Sequence, residues 1–219
     1  MSAVKIHGLM RSGTNYLQFM VERNFGISAI INEYAWKHGG INPKLNAYHL
    51  IVFKNIHAWL SSIYDYSQSS TFFPKSKNKS LSEFIRSEFL FLERGTEVKK
   101  DNPIQLYNLM HESWLSTECK KEKLWIDYGN MISCPEKQMA KISSVIKKPL
   151  KNKKLVYPCR NVLPHEATTI SASIVKNYKK EKFYEQKEYM KRFLPDDLNF
   201  IESQLNHVVR ENIFKLSGI

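Results

Sequence analysis

Residues 7–20, HGLMRSGTNYLQFM, hold two glycines, an arginine and three small polar residues in a pattern suited to gripping an oxyanion. Gly8 and Gly13 have the spacing of a triphosphate loop, G-x-x-x-x-G-K-[ST]. Thr14 stands where the lysine belongs, and Arg11 sits inside the loop. In a triphosphate loop that lysine reaches the β and γ phosphates, and the next hydroxyl holds magnesium. Without it, Ser12, Gly13, Thr14 and the loop amides can still cradle one tetrahedral oxyanion, to which Arg11 adds a planar, permanently charged fork. The strongest strand candidate, YHLIVF, ends in Lys54 rather than in a Walker-B aspartate. These residues predict a nucleotide with a 5′ oxyanion and no magnesium-bound tail.

Lys54 and Ser62 supply a second feature. Lys54 closes the predicted central strand, where open α/β sheets bind ligands, and Ser62 lies two turns into the helix that follows. Neither belongs to that helix's apolar face of Ile56, Trp59, Leu60, Ile63 and Tyr64. A cation and a hydroxyl there suit a second, separate phosphate.

The elements that must position these groups follow from periodicity. VKIH (4–7) reads as a short strand, and TNYLQFMVERNF (14–25) as a helix with Leu17, Met20, Val21 and Asn24 on one face. Strand, Gly-bounded turn and helix is the context an anion loop needs, because the helix N-terminus supplies unpaired N–H groups and a positive dipole end. ISAIINEY (27–34) and YHLIVF read as further strands, the latter apolar throughout as in a buried parallel strand. Residues 69–80 read as a mobile polar loop or lid, 81–93 and 104–118 as helices, 123–128 as a strand, and Pro135 as the start of a helix. KKLVYP (153–158) reads as a short strand, 159–183 show no usable pattern, and one helix is predicted from Pro195 to near Gly218. Strands alternating with helices give an α/β fold with a central, mostly parallel sheet flanked by helices. With no repeat or linker, residues 1–219 read as a single domain.

Composition narrows the classes. The content of apolar and aromatic residues is that of a globular protein, and no stretch approaches the roughly 18 apolar residues of a membrane span. A charged loop begins almost at once, so no signal peptide is expected. Cys119, Cys134 and Cys159 are scattered, which argues against a disulfide framework or zinc site and fits a cytoplasmic location. The net charge of +12 suits an anionic partner. Residues 120–154 carry ten lysines against Glu122, Asp127 and Glu136. The densest run, KKPLKNKK (147–154), reads first as a solvated loop and second as an anion site. RNA-binding signatures are missing, so nucleic acid is not the expected partner.

At this point the chain resembles the sulfotransferases that use 3′-phosphoadenosine 5′-phosphosulfate (PAPS, which leaves PAP as product). HGLMRSGTNYL is similar to their 5′-phosphosulfate loop. FKNIHAWLSSIY is similar to their 3′-phosphate motif, with Lys54 at the arginine position and Ser62 at the serine. KLWIDYGNMISCPEKQMAKI and FYEQKEYMKRFLPDDLNFIESQL resemble later segments of the family. Lys54 for arginine gives up a bidentate fork, Ile56 replaces a proline, and Asp127-Tyr128-Gly129 departs from the usual Tyr-Glu-Asp order. The resemblance implies metal-independent, in-line transfer of a sulfonate to a hydroxyl or amine acceptor, such as a glycan or a small molecule. Arg11 is then the cation on the phosphosulfate, with Ser12, Gly13, Thr14 and Asn15 orienting it. AWKHGG supplies Lys37 and the candidate base His38, whose ordinary pKa lies near neutrality; Glu33 is the competing base. Two rivals remain: a nucleotide or small-molecule kinase with a degenerate phosphate loop, and a non-catalytic protein that binds phosphonucleotides or anionic polymers.

Overall fold

A computed structural model of the chain describes residues 3–30, 33, 37–73, 76–93, 96–158 and 178–217. In chain order the elements are β1 (Val4–His7), α1 (Thr14–Phe25), β2 (Ala29–Ile30), β3 (Tyr48–Phe53), α2 (Ile56–Ser69), α3 (Leu81–Arg86), β4 (Phe89–Glu93), β5 (Thr96–Lys100), α4 (Pro103–Ser116), β6 (Lys123–Asp127), α5 (Tyr128–Ser133), α6 (Pro135–Ile146), α7 (Tyr178–Glu185), α8 (Pro195–Gln204) and α9 (His207–Ser217). A 3-10 turn spans Glu188–Arg192. The fold is α/β, and the chain divides into two compact units, residues 1–54 with 117–185 and residues 55–116 with 186–219.

The first unit is built on a parallel sheet in the order β2-β1-β3-β6. Val4 pairs with Tyr48 and His7 with Ile51, while Phe53 pairs with Asp127. One face of the sheet presents Val4, Ile6, Leu50 and Val52 to the apolar stripes of α1 (Leu17, Met20, Val21) and α6 (Met139, Ile142, Ile146), all fully buried. The other face mixes Ile51 and Phe53 with polar side chains that are equally dry. Lys5, His7 and His49 are about 1% exposed or less. Lys5 Nζ donates to the Glu33 carbonyl at 2.9 Å, and His7 Nε2 lies 3.0 Å from His49 Nδ1. Of the 27–34 strand, the described part is Ala29–Ile30; Ile31, Asn32, Tyr34, Ala35 and Trp36 lie outside the described residues.

KKLVYP is not a strand. Val156 instead exchanges two hydrogen bonds with the buried side chain of Asn24, accepting from Nδ2 at 2.9 Å and donating to Oδ1 at 2.7 Å. An amide side chain thus takes the place of a neighbouring strand. The 147–154 run is a solvated loop, with Lys147, Lys151, Lys153 and Lys154 exposed. Cys119 and Cys134 are free thiols; Cys159, and the unpatterned 159–177, lie outside the described residues.

The second unit corrects three expectations. Residues 81–93 are not one helix: α3 ends at Arg86, and β4 forms an antiparallel hairpin with β5. The run FLFLE fits either period, and the strand partner seven residues on decides it. The single C-terminal helix is two, because Asn206 breaks the phase and caps α9 by accepting from Val208 N at 2.7 Å. The 69–80 loop is tied down rather than lid-like. Phe73 is fully buried, and the Gln68 side chain donates to the Ser76 carbonyl at 2.8 Å and accepts from Asn78 N at 3.1 Å.

Asp197 anchors this unit. Its carboxylate accepts from Ser82 Oγ at 2.7 Å, from Leu194 N at 3.0 Å and from Arg86 Nη1. Burial opposes its charge, but these donors together hold its pKa below the usual carboxylate range. Asp197→Ala leaves the Ser82 and Leu194 donors and the Arg86 charge without their acceptor, and is expected to lose roughly 3 kcal/mol in urea unfolding. Asp197→Asn, which keeps part of the set, loses less. An Asp197→Ala chain as stable as the parent would show the network to be dispensable.

Candidate anion site

The loop from Gly8 to Gly13 lies between β1 and α1, at the carboxyl ends of the parallel strands. Its turn is closed by Ser12 N donating to the Leu9 carbonyl at 3.0 Å, with Arg11 in the left-handed region at φ 65°. Gly13 caps α1 at φ 104°. A Cβ on Gly13 would lie 2.1 Å from Cδ2 of Tyr128, and one on Gly8 would lie 2.5 Å from the Val52 carbonyl oxygen. The glycines are therefore needed for close approach, to an aromatic ring and to a neighbouring strand respectively. Ser12 is buried, and its Oγ has no hydrogen-bond partner among the described residues. A buried hydroxyl without a partner, beside the N-terminal turn of α1, fits an oxyanion ligand. Thr14 is also buried, whereas Arg11 is exposed.

Lys37 and His38 come to the same loop. Gly8 N donates to the Lys37 carbonyl at 3.0 Å, and Lys37 Nζ donates to Asn15 Oδ1 at 2.6 Å. Burial lowers the Lys37 pKa. His38 Nδ1–H donates to the Gly8 carbonyl, which can only accept. That bond fixes the tautomer and leaves Nε2 as the lone-pair nitrogen. Burial drives the His38 pKa down to about 4, against the opposing pull of the Gly8 bond, and the Lys37 charge lowers it further. His38 is therefore neutral at pH 7. Glu33, the rival base, has an exposed side chain, and its carbonyl serves Lys5.

Lys54 is only 6% exposed, so it is not a solvated strand end. Its ammonium lies 4.7 Å from the ring centre of Tyr128 and 6.0 Å from that of Tyr184 on α7. Sequence alone gives Tyr128 no part in the site. It follows β6, beside β3, and its ring covers Gly13 while supporting Lys54. Burial pushes its hydroxyl pKa up to about 12, although the Arg11 charge acts in the opposite direction. The available signal was its place just past a strand that neighbours the strand of Lys54. Eight of the predicted residues, Arg11, Ser12, Gly13, Thr14, Asn15, Lys37, His38 and Lys54, thus belong to the first unit. Ser62 belongs to the second, half-buried on α2.

No family model matches the chain, and no curated protein matches it in sequence. Among solved structures, mouse sulfotransferase SULT7A1 complexed with PAP has a similar fold, with a TM-score of 0.50 at 12% identity. The match covers 93% of this chain and 82% of that one. The protein therefore has a sulfotransferase-like α/β fold, with a glycine-bounded loop at the carboxyl end of its sheet. No helix among the described residues is long and apolar enough to cross a membrane.

Proposed function

We propose that the protein is a sulfotransferase that moves the sulfonate of PAPS to a hydroxyl or amine acceptor. The observation that carries this reading is Lys54 on the face of the Tyr128 ring, which covers Gly13, next to the orphaned Ser12 hydroxyl and the N-terminus of α1, in a fold shared with a PAP-complexed enzyme. Arg11, Ser12, Thr14 and the first N–H groups of α1 hold the 5′-phosphosulfate, and Asn15 sets Lys37 beside it. Lys54 and, in the second unit, Ser62 are assigned to the 3′-phosphate from their sequence pattern. Sulfur exchanges its bond to the leaving 5′-phosphate oxygen for one to the acceptor atom. His38 Nε2 takes the acceptor's proton while Nδ1–H stays on Gly8. Arg11 and the loop dipoles offset charge on the leaving oxygens. The anionic ligand itself raises the basicity of His38 from its low starting point.

The test is thermal unfolding with PAP, AMP and ATP plus magnesium at equal concentration, since a ligand bound only by the native state stabilises it. A shift with PAP well above the others supports the reading. A shift with ATP and magnesium alone would replace it with a kinase. His38→Ala is expected to keep the PAP shift and to lower turnover by about 10²–10⁴-fold. Because the working form of His38 is neutral, kcat/KM should hold from pH 8 to about 5 and fall only as pH drops toward the His38 pKa. Full turnover in His38→Ala would transfer the base role to Glu33.

A further inference from the structure

Residues 137–154 carry Lys137, Lys141, Lys147, Lys148, Lys151, Lys153 and Lys154 and no aspartate or glutamate. All but the half-buried Lys148 are exposed. The acid that precedes them, Glu136, accepts from the Tyr157 hydroxyl at 2.6 Å. We propose that the loop after α6 binds an extended acidic polysaccharide, at a place separate from the anion site.

Three observations carry the inference. The loop holds its lysines in a fixed array. Lys148 N donates to the Ser143 carbonyl at 3.2 Å, Ser143 Oγ donates to the Lys148 carbonyl at 2.7 Å, and Lys151 N donates to the Asn24 carbonyl at 2.7 Å. A pinned array loses less entropy on binding than a floppy tail. Next, Lys147 ends α6 in the left-handed region at φ 53°, a position where glycine carries no Cβ penalty. Charge therefore stands where backbone geometry favours glycine. Finally, the loop after α6 is remote from the cosubstrate loop. Asn24 and Gly26, which touch this loop, lie at the C-terminal end of α1, whereas Gly13 caps its N-terminus. Twelve helical residues put about 18 Å between those ends. Lys147, Lys151, Lys153 and Lys154 stand at the far end of α1 and cannot serve an oxyanion at Gly13.

The composition of this stretch selects the partner. Its cations are lysines without arginine, which gives point charges rather than bidentate forks for phosphates or base edges. Among the described residues no exposed aromatic side chain interrupts the array to stack on bases. Among the described residues the exposed large apolar side chains are Phe72, Leu109, Leu194 and Val208, none of them within residues 137–154, so that stretch offers no apolar anchor for a lipid surface. A linear polymer of carboxylates or sulfates needs only the charge array.

The inference does not depend on sulfonate transfer. The probe is a heparin decasaccharide, titrated calorimetrically into the full chain at several salt concentrations, beside a duplex DNA of similar charge and vesicles containing phosphatidylserine. The decasaccharide is expected to bind more tightly than the other two, with affinity falling steeply as salt rises. The quadruple variant Lys147→Gln, Lys151→Gln, Lys153→Gln, Lys154→Gln should bind it at least about tenfold more weakly and release fewer counterions. Unchanged melting of the variant, and an unchanged response to PAP, would show that the fold and the anion site are intact. Unchanged decasaccharide affinity in the variant, tighter binding of DNA or vesicles, or displacement of the decasaccharide by PAP would each overturn the proposal.

Discussion

Replacing Gly13 with alanine is expected to abolish the response to PAP and to destabilise the chain by roughly 2–4 kcal/mol. Two costs add. The backbone at φ 104° lies where side chains are strained, and the new methyl would stand 2.1 Å from one carbon of the Tyr128 ring and 2.4 Å from the next. Something must move. If the ring swings away, Lys54 loses the face 4.7 Å from its ammonium. If the loop moves, Ser12 and the first turn of α1 leave their positions. Either displacement spoils a site that must be accurate to a fraction of an ångström. Denaturant unfolding and PAP-dependent melting measure the two effects. Adding Tyr128→Ala should recover part of the stability lost in Gly13→Ala, because the clash then has no second body; the coupling follows from a double-mutant cycle. Additive losses in that cycle would mean that the ring does not sit on the glycine.

The second large effect is acid sensitivity. His7 is held neutral by burial, by His49 and by Lys5, with its pKa lowered to about 3. Burial lowers those of His57 and His111 to about 4, as it does for His38, and lowers that of His49 as well. In the unfolded chain each returns to about 6.5. The folded pKa values are depressed for a base, so the native state binds fewer protons than the unfolded state between about pH 6.5 and 4. Stability therefore falls as pH falls through that window, on the order of 1 kcal/mol per pH unit for each proton taken up. The fully buried His7, His49 and His111 contribute most surely, since no solvent screens them. Urea unfolding at pH 7, 6 and 5 should show a progressive loss, with roughly three or more protons taken up on unfolding near pH 5. His111→Phe should reduce that uptake by about one. A stability curve flat from pH 7 to 5 would be incompatible with these buried neutral rings.

The strand, glycine-bounded turn and helix of residues 4–25 were legible in the sequence because their information is local. Two glycines five apart, an arginine between them and a helical stripe of Leu17, Met20 and Val21 after them define strand, turn and helix within about twenty residues. The run YHLIVF likewise announced a buried parallel strand, and Lys54 its carboxyl end. The second unit was less legible for an equally physical reason. FLFLE satisfies both the helical and the strand period, and a partner strand chose between them. In the C-terminal stretch the apolar phase ran through Leu205 to Val208, but Asn206 offered its side chain to the backbone and ended one helix to begin another.

By itself the sequence determined the glycine-bounded turn between β1 and α1, the α/β class and the positions of Arg11, Lys37, His38 and Lys54 along the chain. Only the tertiary structure decided that Tyr128 covers Gly13 and supports Lys54, that His38 lends its Nδ1 proton to Gly8, and that Lys5, His7 and His49 are dry. Those facts depend on which strands lie side by side. The pairing of β3 with β6 brings residue 128 to residue 54, and β1 beside β3 brings residue 7 to residue 49. Such contacts join segments tens of residues apart, and neither composition nor local period encodes them. They are set when the apolar face of the sheet is covered by α1 and α6, which orients its other face and both of its ends at once.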